Sequence, residues 1–123
     1  MKKTFSYVDG CVVPVPRKNV AAYKRMAKFM AKVWIQHGAI EYVESMGDDV
    51  PEGKTTSFPK SVKLKKDEVV FLSWITYKSR AHRNQVLKKV MSDPKMIEAM
   101  HTKAMPFDGM RMFWGGFKPV VKA

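Results

Sequence analysis

The sequence predicts an α+β domain: an antiparallel sheet in the order βαββαβ, with helices on one face. Three observations predict it. Residues 5–15, 39–46 and 69–77 are rich in β-branched and aromatic residues at strand spacing. Residues 17–37 and 79–91 place apolar side chains three and four apart, as helices do. The order is strand, helix, strand, strand, helix, strand once a weak edge strand and a second short helix are set aside. At 123 residues the chain is one domain, 1–123, with room for a core.

Taken in order, residues 5–15 form the first strand. Phe5, Tyr7, Asp9, Cys11 and Val13 point one way, and Ser6, Val8, Gly10 and Val12 the other. Pro14 and Pro16 are expected to end it, because proline cannot donate to a ladder. The helix over 17–37 carries an apolar stripe of Val20, Tyr23, Ala27, Met30, Ala31 and Trp34, and Gly38 is its expected stop. In the strand 39–46, Ile40, Tyr42 and Met46 share a face, while Glu41 and Glu44 suggest partial exposure. Gly47 to Lys54 is a loop. Phe58, Val62 and Leu64 then alternate with lysines, a weak edge-strand signal with Pro59 guarding the edge.

Val69 to Tyr77 is the strongest strand, apolar on both faces. Ser79 is placed to cap a helix reaching about Met91, with Val86, Leu87 and Val90 inward. Ser92-Asp93-Pro94 stops it and starts another short helix. Pro106 and Asp108-Gly109 signal a turn, after which a strand is expected from about Met110 to Val121, interrupted by Gly115 and Gly116.

This is the ferredoxin-like split βαβ pattern. Its helices cover only one face of the sheet, yet the first, third and last strands carry apolar residues on both. A second sheet from another chain resolves the conflict, so a homodimer packed face to face is expected, against the alternative of a monomer with an open apolar face.

The net charge of +12 concentrates in three groups: Arg17 to Lys32, Lys60 to Lys66, and Lys78 to Lys89. Such a surface attracts RNA and other anions non-specifically; the plainer reading is solvated basic helix faces. An RNA recognition motif shares the βαββαβ order, but the basic-Gly-aromatic start of its third strand is absent here. No apolar run reaches the length of a membrane span, and the start has no apolar core of a signal peptide. Cys11 is the only cysteine, which excludes an internal disulfide. A cytoplasmic location is expected.

No Gly-rich phosphate loop, Walker pattern or GxSxG occurs. His37, His82 and His101 lack metal-ligand spacing, so no metal and no cofactor is expected. Cys11 reads as a buried, inert thiol. Asp48, Asp49 and Asp108 fit turn chemistry. Asp9 stands out, because a charge in a central strand is costly unless paired. Facing Gly115-Gly116, it would have room beside it for a ligand, a water or a bulky group from across the sheet. Arg111 is the candidate partner for it or for an anion. Trp34, Trp74 and Trp114 with Tyr7, Tyr42 and Phe113 would wall an aromatic pocket or simply fill the core.

Tyr7-Val8-Asp9-Gly10, Gly47 to Lys54, Val70 to Ile75, Ser92 to Met96 and above all Met105 to Met112 with Gly115-Gly116-Phe117 resemble the YbaA-like bacterial proteins, a family of unknown function. The resemblance spans almost the whole chain. It implies a ferredoxin-like dimeric α+β barrel. Met46, where the family pattern has an aromatic, and Lys78, where it has a proline, depart from it, as does the strongly basic surface.

The expected function is small-molecule binding in a pocket of that barrel. Barrels of this kind include cofactor-free monooxygenases, so an oxidoreductase-like activity follows by analogy of fold alone. The candidate catalytic residues are Asp9, as base or orienting group, and Arg111, holding an anionic or enolate oxygen. The candidate ligand-binding residues are Tyr7, Asp48, Asp49, Trp74 and Trp114. The alternatives are a basic nucleic-acid- or anion-binding module, and a structural or interaction protein without a pocket.

Overall fold

The computed structural model describes residues 4–102 and 104–123. Its four strands are β1 (Tyr7–Pro16), β2 (Glu41–Met46), β3 (Glu68–Tyr77) and β4 (Phe113–Phe117). The helices are α1 (Val20–Gln36), the single-turn α2 (Phe58–Ser61), α3 (Arg80–Ser92) and α4 (Pro94–Thr102). A 3-10 turn, Arg17–Asn19, leads into α1. The sheet runs β2-β3-β1-β4 with every neighbouring pair antiparallel. Thus β1 and β2, joined by α1, are separated by β3, which is the split βαβ arrangement with α2 and α4 added.

The chain is therefore α+β. β1 holds the odd residues Tyr7, Asp9, Cys11, Val13 and Val15 toward α1 and α3. Two apolar clusters form there. One gathers Val33, Trp34, Tyr77, Val86, Val90 and Met96; the other gathers Val13, Val15, Tyr23, Ala27, Val69 and Phe71. The even face is covered only in part, where Val62, Val50 and Leu64 pack on Val12 and Val70. Beyond that patch Leu72, Phe113 and Phe117 stay exposed.

Three expectations need correction. Residues 58–64 are no edge strand: Ser57 Oγ accepts from the Lys60 amide, Pro59 sits in the first turn, and a helical turn forms instead. β1 runs through Pro14 and Pro16 to its end, because β4 reaches only as far as Val12. A missing N–H costs little on a strand that has lost one neighbour. β4 is five residues long, well short of 110–121. Elsewhere Gly38 ends α1 at φ 113°, a conformation that favours glycine.

Candidate functional site

Asp9 sits in the middle of the helix-facing side of β1. Ser79 fixes its partner. Its hydroxyl oxygen accepts from the His82 amide, so α3 starts three residues after β3 ends and its fourth residue, Arg83, turns back over β1. Arg83 Nη1 donates to Asp9 Oδ1 at 3.1 Å, and Nη2 donates to the Tyr7 hydroxyl at 3.3 Å. The guanidinium also lies over the rings of Tyr7 and Trp114, 5.1 and 5.8 Å from their centroids. Behind this pair Trp34 Nε1 donates to the Tyr77 hydroxyl at 3.2 Å, and Tyr77 in turn interacts with Asp9.

Burial pushes the Asp9 carboxyl above the usual aspartate range, outweighing the opposing pull of Arg83 and Tyr77. Burial, with the charge of Asp9, also raises the Tyr77 hydroxyl. Arg83 is 8% exposed, yet its Nε has no hydrogen-bond partner among the described residues. A buried, unmatched donor on a cation is the least economical feature of this network. The space opposite Asp9 at Gly116 is filled by the Tyr7 side chain, from the same strand and face as Asp9 and not from across the sheet.

One residue pair further along, a polar row crosses the same face. Glu44 pairs with Ser73, Ser73 with Cys11 and Cys11 with Trp114. The row divides the two apolar clusters. Glu44 accepts from the Tyr23 hydroxyl at 2.8 Å and the Tyr42 hydroxyl at 3.3 Å, and burial raises its carboxyl. Burial likewise raises the half-buried Cys11 thiol. The row ends at Trp114, which is 58% exposed.

The expected pairing of Asp9 with Arg111 does not form. Glu68, which holds Arg111, is seven residues along β3 from the partner of Asp9, roughly 23 Å away. Arg111 is fully engaged. Nη1 and Nη2 donate to the two Glu68 oxygens at 2.8 and 2.6 Å, and Nε to Asp108 Oδ2 at 2.9 Å. Nη1 also reaches the carbonyls of Val62 and Lys63. It ties the turn before β4 to the start of β3.

Trp74 lies on the opposite face from Asp9, as do Asp48 and Asp49. The two aspartates border an open pocket of about 230 Å³ with Met46, Val50, Phe58, Val70 and Leu72. Of the sequence-predicted residues, the fold brings together Tyr7, Asp9 and Trp114. It adds Arg83, Tyr77 and Glu44. The signal for Arg83 was its place three, four and seven residues before Val86, Leu87 and Val90, on the inward stripe of α3. Glu44 falls between Tyr42 and Met46 on the inward face of β2.

Two surfaces lie outside this site. On α1, Lys24, Arg25, Lys28 and Lys32 are exposed, and the helix contains no acid. On the even face of the sheet, Leu72, Phe113 and Phe117 are exposed beside Trp74. Among the described residues no His, Cys, Asp or Glu cluster is placed to hold a metal, and no helix is long and apolar enough to cross a membrane.

A family model described as protein of unknown function DUF1428 matches residues 6–109. Curated relatives from Escherichia coli K12, E. coli O157:H7 and Shigella flexneri, each called uncharacterized protein YbaA, are 44% identical over 115 residues. The match covers 94% of this chain and 97% of each relative. A solved structure, the de novo designed protein Foldit4, aligns over 93% of this chain and 98% of its own with a TM-score of 0.46 and 9% identity, a likeness too slight to bear on function.

Proposed function

The chain belongs to the DUF1428 family of proteins of unknown function, and we propose that it is a homodimer that binds a small molecule beside Arg83, between sheet and helices. The observation that carries this reading is the unmatched Nε of Arg83, a residue 8% exposed. An acceptor oxygen on a ligand would satisfy it. Trp114, exposed at the edge of the same network, offers a flat face to the rest of that ligand. Asp9, whose carboxyl is raised by burial, is the group suited to take or give a proton there. The dimer is supported by the even face of the sheet, whose exposed Leu72, Phe113 and Phe117 carry no charge in a protein of net charge +12. The test is titration with benzoate, an aromatic ring bearing two acceptor oxygens, followed by tryptophan fluorescence. Saturable quenching is expected. Arg83→Lys keeps a cation for Asp9 but lacks Nε, so it should weaken binding at least tenfold. No saturable response to benzoate or to a panel of small carboxylates and phenolates would sink the reading.

A second reading rests on α1. Its exposed, acid-free basic stripe of Lys24, Arg25, Lys28 and Lys32 favours non-specific contact with polyanions such as RNA. A steep loss of RNA binding with rising salt and no sequence preference would support it. Absence of binding at low salt eliminates it.

A further inference from the structure

Glu44 has no use in the site beside Arg83, and its setting is unusual. Its carboxylate is held by two tyrosine hydroxyls, one on each oxygen, and no cation lies within ion-pair distance among the described residues. A carboxylate accepts about four hydrogen bonds, so two tyrosines leave roughly half the capacity of this part-buried one open to another donor. Its sheet neighbours are small: Ser73 and then Cys11 stand between it and Trp114. Asp9 lies two strands over and two residues along, roughly 12 Å from Glu44 between Cα atoms. The helix-facing side of the sheet thus has two poles. Among the described residues Arg83 Nε lacks an acceptor, and Glu44 lacks a cation. The half-buried Cys11 lies between them.

We propose that Glu44 is the second anchor of the ligand site and that the ligand is bifunctional. It carries a carboxylate or similar acceptor group toward Arg83 and an ammonium or other strong donor toward Glu44, joined by a flat apolar spacer that crosses Cys11. This rests on the small-molecule reading given above and adds the ligand class. A ligand bearing only an acceptor would leave the part-buried Glu44 without a cation. One bearing both groups would give Arg83 Nε an acceptor and Glu44 a cation, and so gain at both ends.

The probes are benzoate and 4-(aminomethyl)benzoate, which differ by the para ammonium arm. The bifunctional probe should bind at least tenfold more tightly, and Glu44→Gln should erase that advantage, bringing the two probes to equal affinity. A readout without any substitution comes from the single cysteine. Alkylation of Cys11 by iodoacetamide in the wild-type protein should slow at least fivefold more with the bifunctional probe than with benzoate at equal saturation. If benzoate saturates but the ammonium arm adds neither affinity nor Cys11 protection, the inference is overturned and the small-molecule reading stands. An advantage that survives Glu44→Gln overturns it equally. If neither probe binds, both fall.

Discussion

The hydroxyl of Tyr7 lies 2.3 Å from the point where a Cβ on residue 116 would sit. No side chain fits there unless Tyr7 moves, and Tyr7 is held by the Arg83 guanidinium above its ring. Gly116→Ala should therefore destabilise the fold by about 1–3 kcal/mol, the usual cost of overpacking. Gly115→Ala is the control. Its Cβ would meet Phe117 at an ordinary 3.6 Å on the other face, so its urea midpoint should stay close to wild type.

Asp9 and Arg83 should be strongly coupled. Their side chains are each 10% exposed. Removing one charge leaves the other buried and alone, so Arg83→Met should cost about 3–5 kcal/mol. Asp9→Asn in the same chain should recover much of that loss, because two buried neutral groups replace an orphaned carboxylate. A double-mutant cycle in urea checks it, and simple additivity would contradict the pairing.

The strand and helix pattern was legible because β3 is a run of β-branched and aromatic residues buried on both faces, and the core-facing residues of α1 recur at three and four. What escaped was chemistry that periodicity does not encode. Asp9 was visible as a charge in a central strand, but choosing its partner required knowing that α3 returns over β1. Arg111 looked isolated because Glu68, its partner, is 43 residues away in sequence. Arg83 was hidden in a run of basic residues whose other members face water. The turn at 58–61 was misread because the alternation of Phe58, Val62 and Leu64 with lysines outweighed a cap and a proline that local rules favour. Trp74 and the Asp48-Asp49 loop separated from Asp9 because strand alternation places them on the other face.

Arg111 gives Glu68 a pH signature. The hydrogen bond from Arg111 holds the Glu68 carboxyl below its ordinary value of 4.5. The folded state thus binds fewer protons than the unfolded one in that window. The stability Glu68 contributes is present above 4.5 and is lost as pH falls through its lowered folded value. Urea midpoints of wild type should fall on acidification from pH 5, and those of Glu68→Gln should fall less steeply. Asp93 and Asp108 are lowered too, by His37 and Arg111, so the difference between the two proteins carries the information. Parallel slopes would show that the bond does not hold in solution.

The proposed dimer rests on the even face of the sheet. Phe117 is 65% exposed and Phe113 46%, next to Leu72 and Trp74, with no charged side chain among them. The basic helix α1 lies on the opposite face, so two copies meeting through the even faces keep their α1 lysines apart. Phe117→Lys puts a charge into the contact. If that charge is buried without a partner the association should weaken by about 3 kcal/mol, roughly a hundredfold in Kd. Sedimentation at micromolar concentration should give twice the chain mass for wild type and the chain mass for Phe117→Lys. Lys28→Glu, on the exposed face of α1, should leave the dimer intact. Phe117 touches neither cluster on the helix side, so the variant should keep its fold by circular dichroism. A single-chain mass for wild type would mean that the apolar face serves something other than a second copy of the chain.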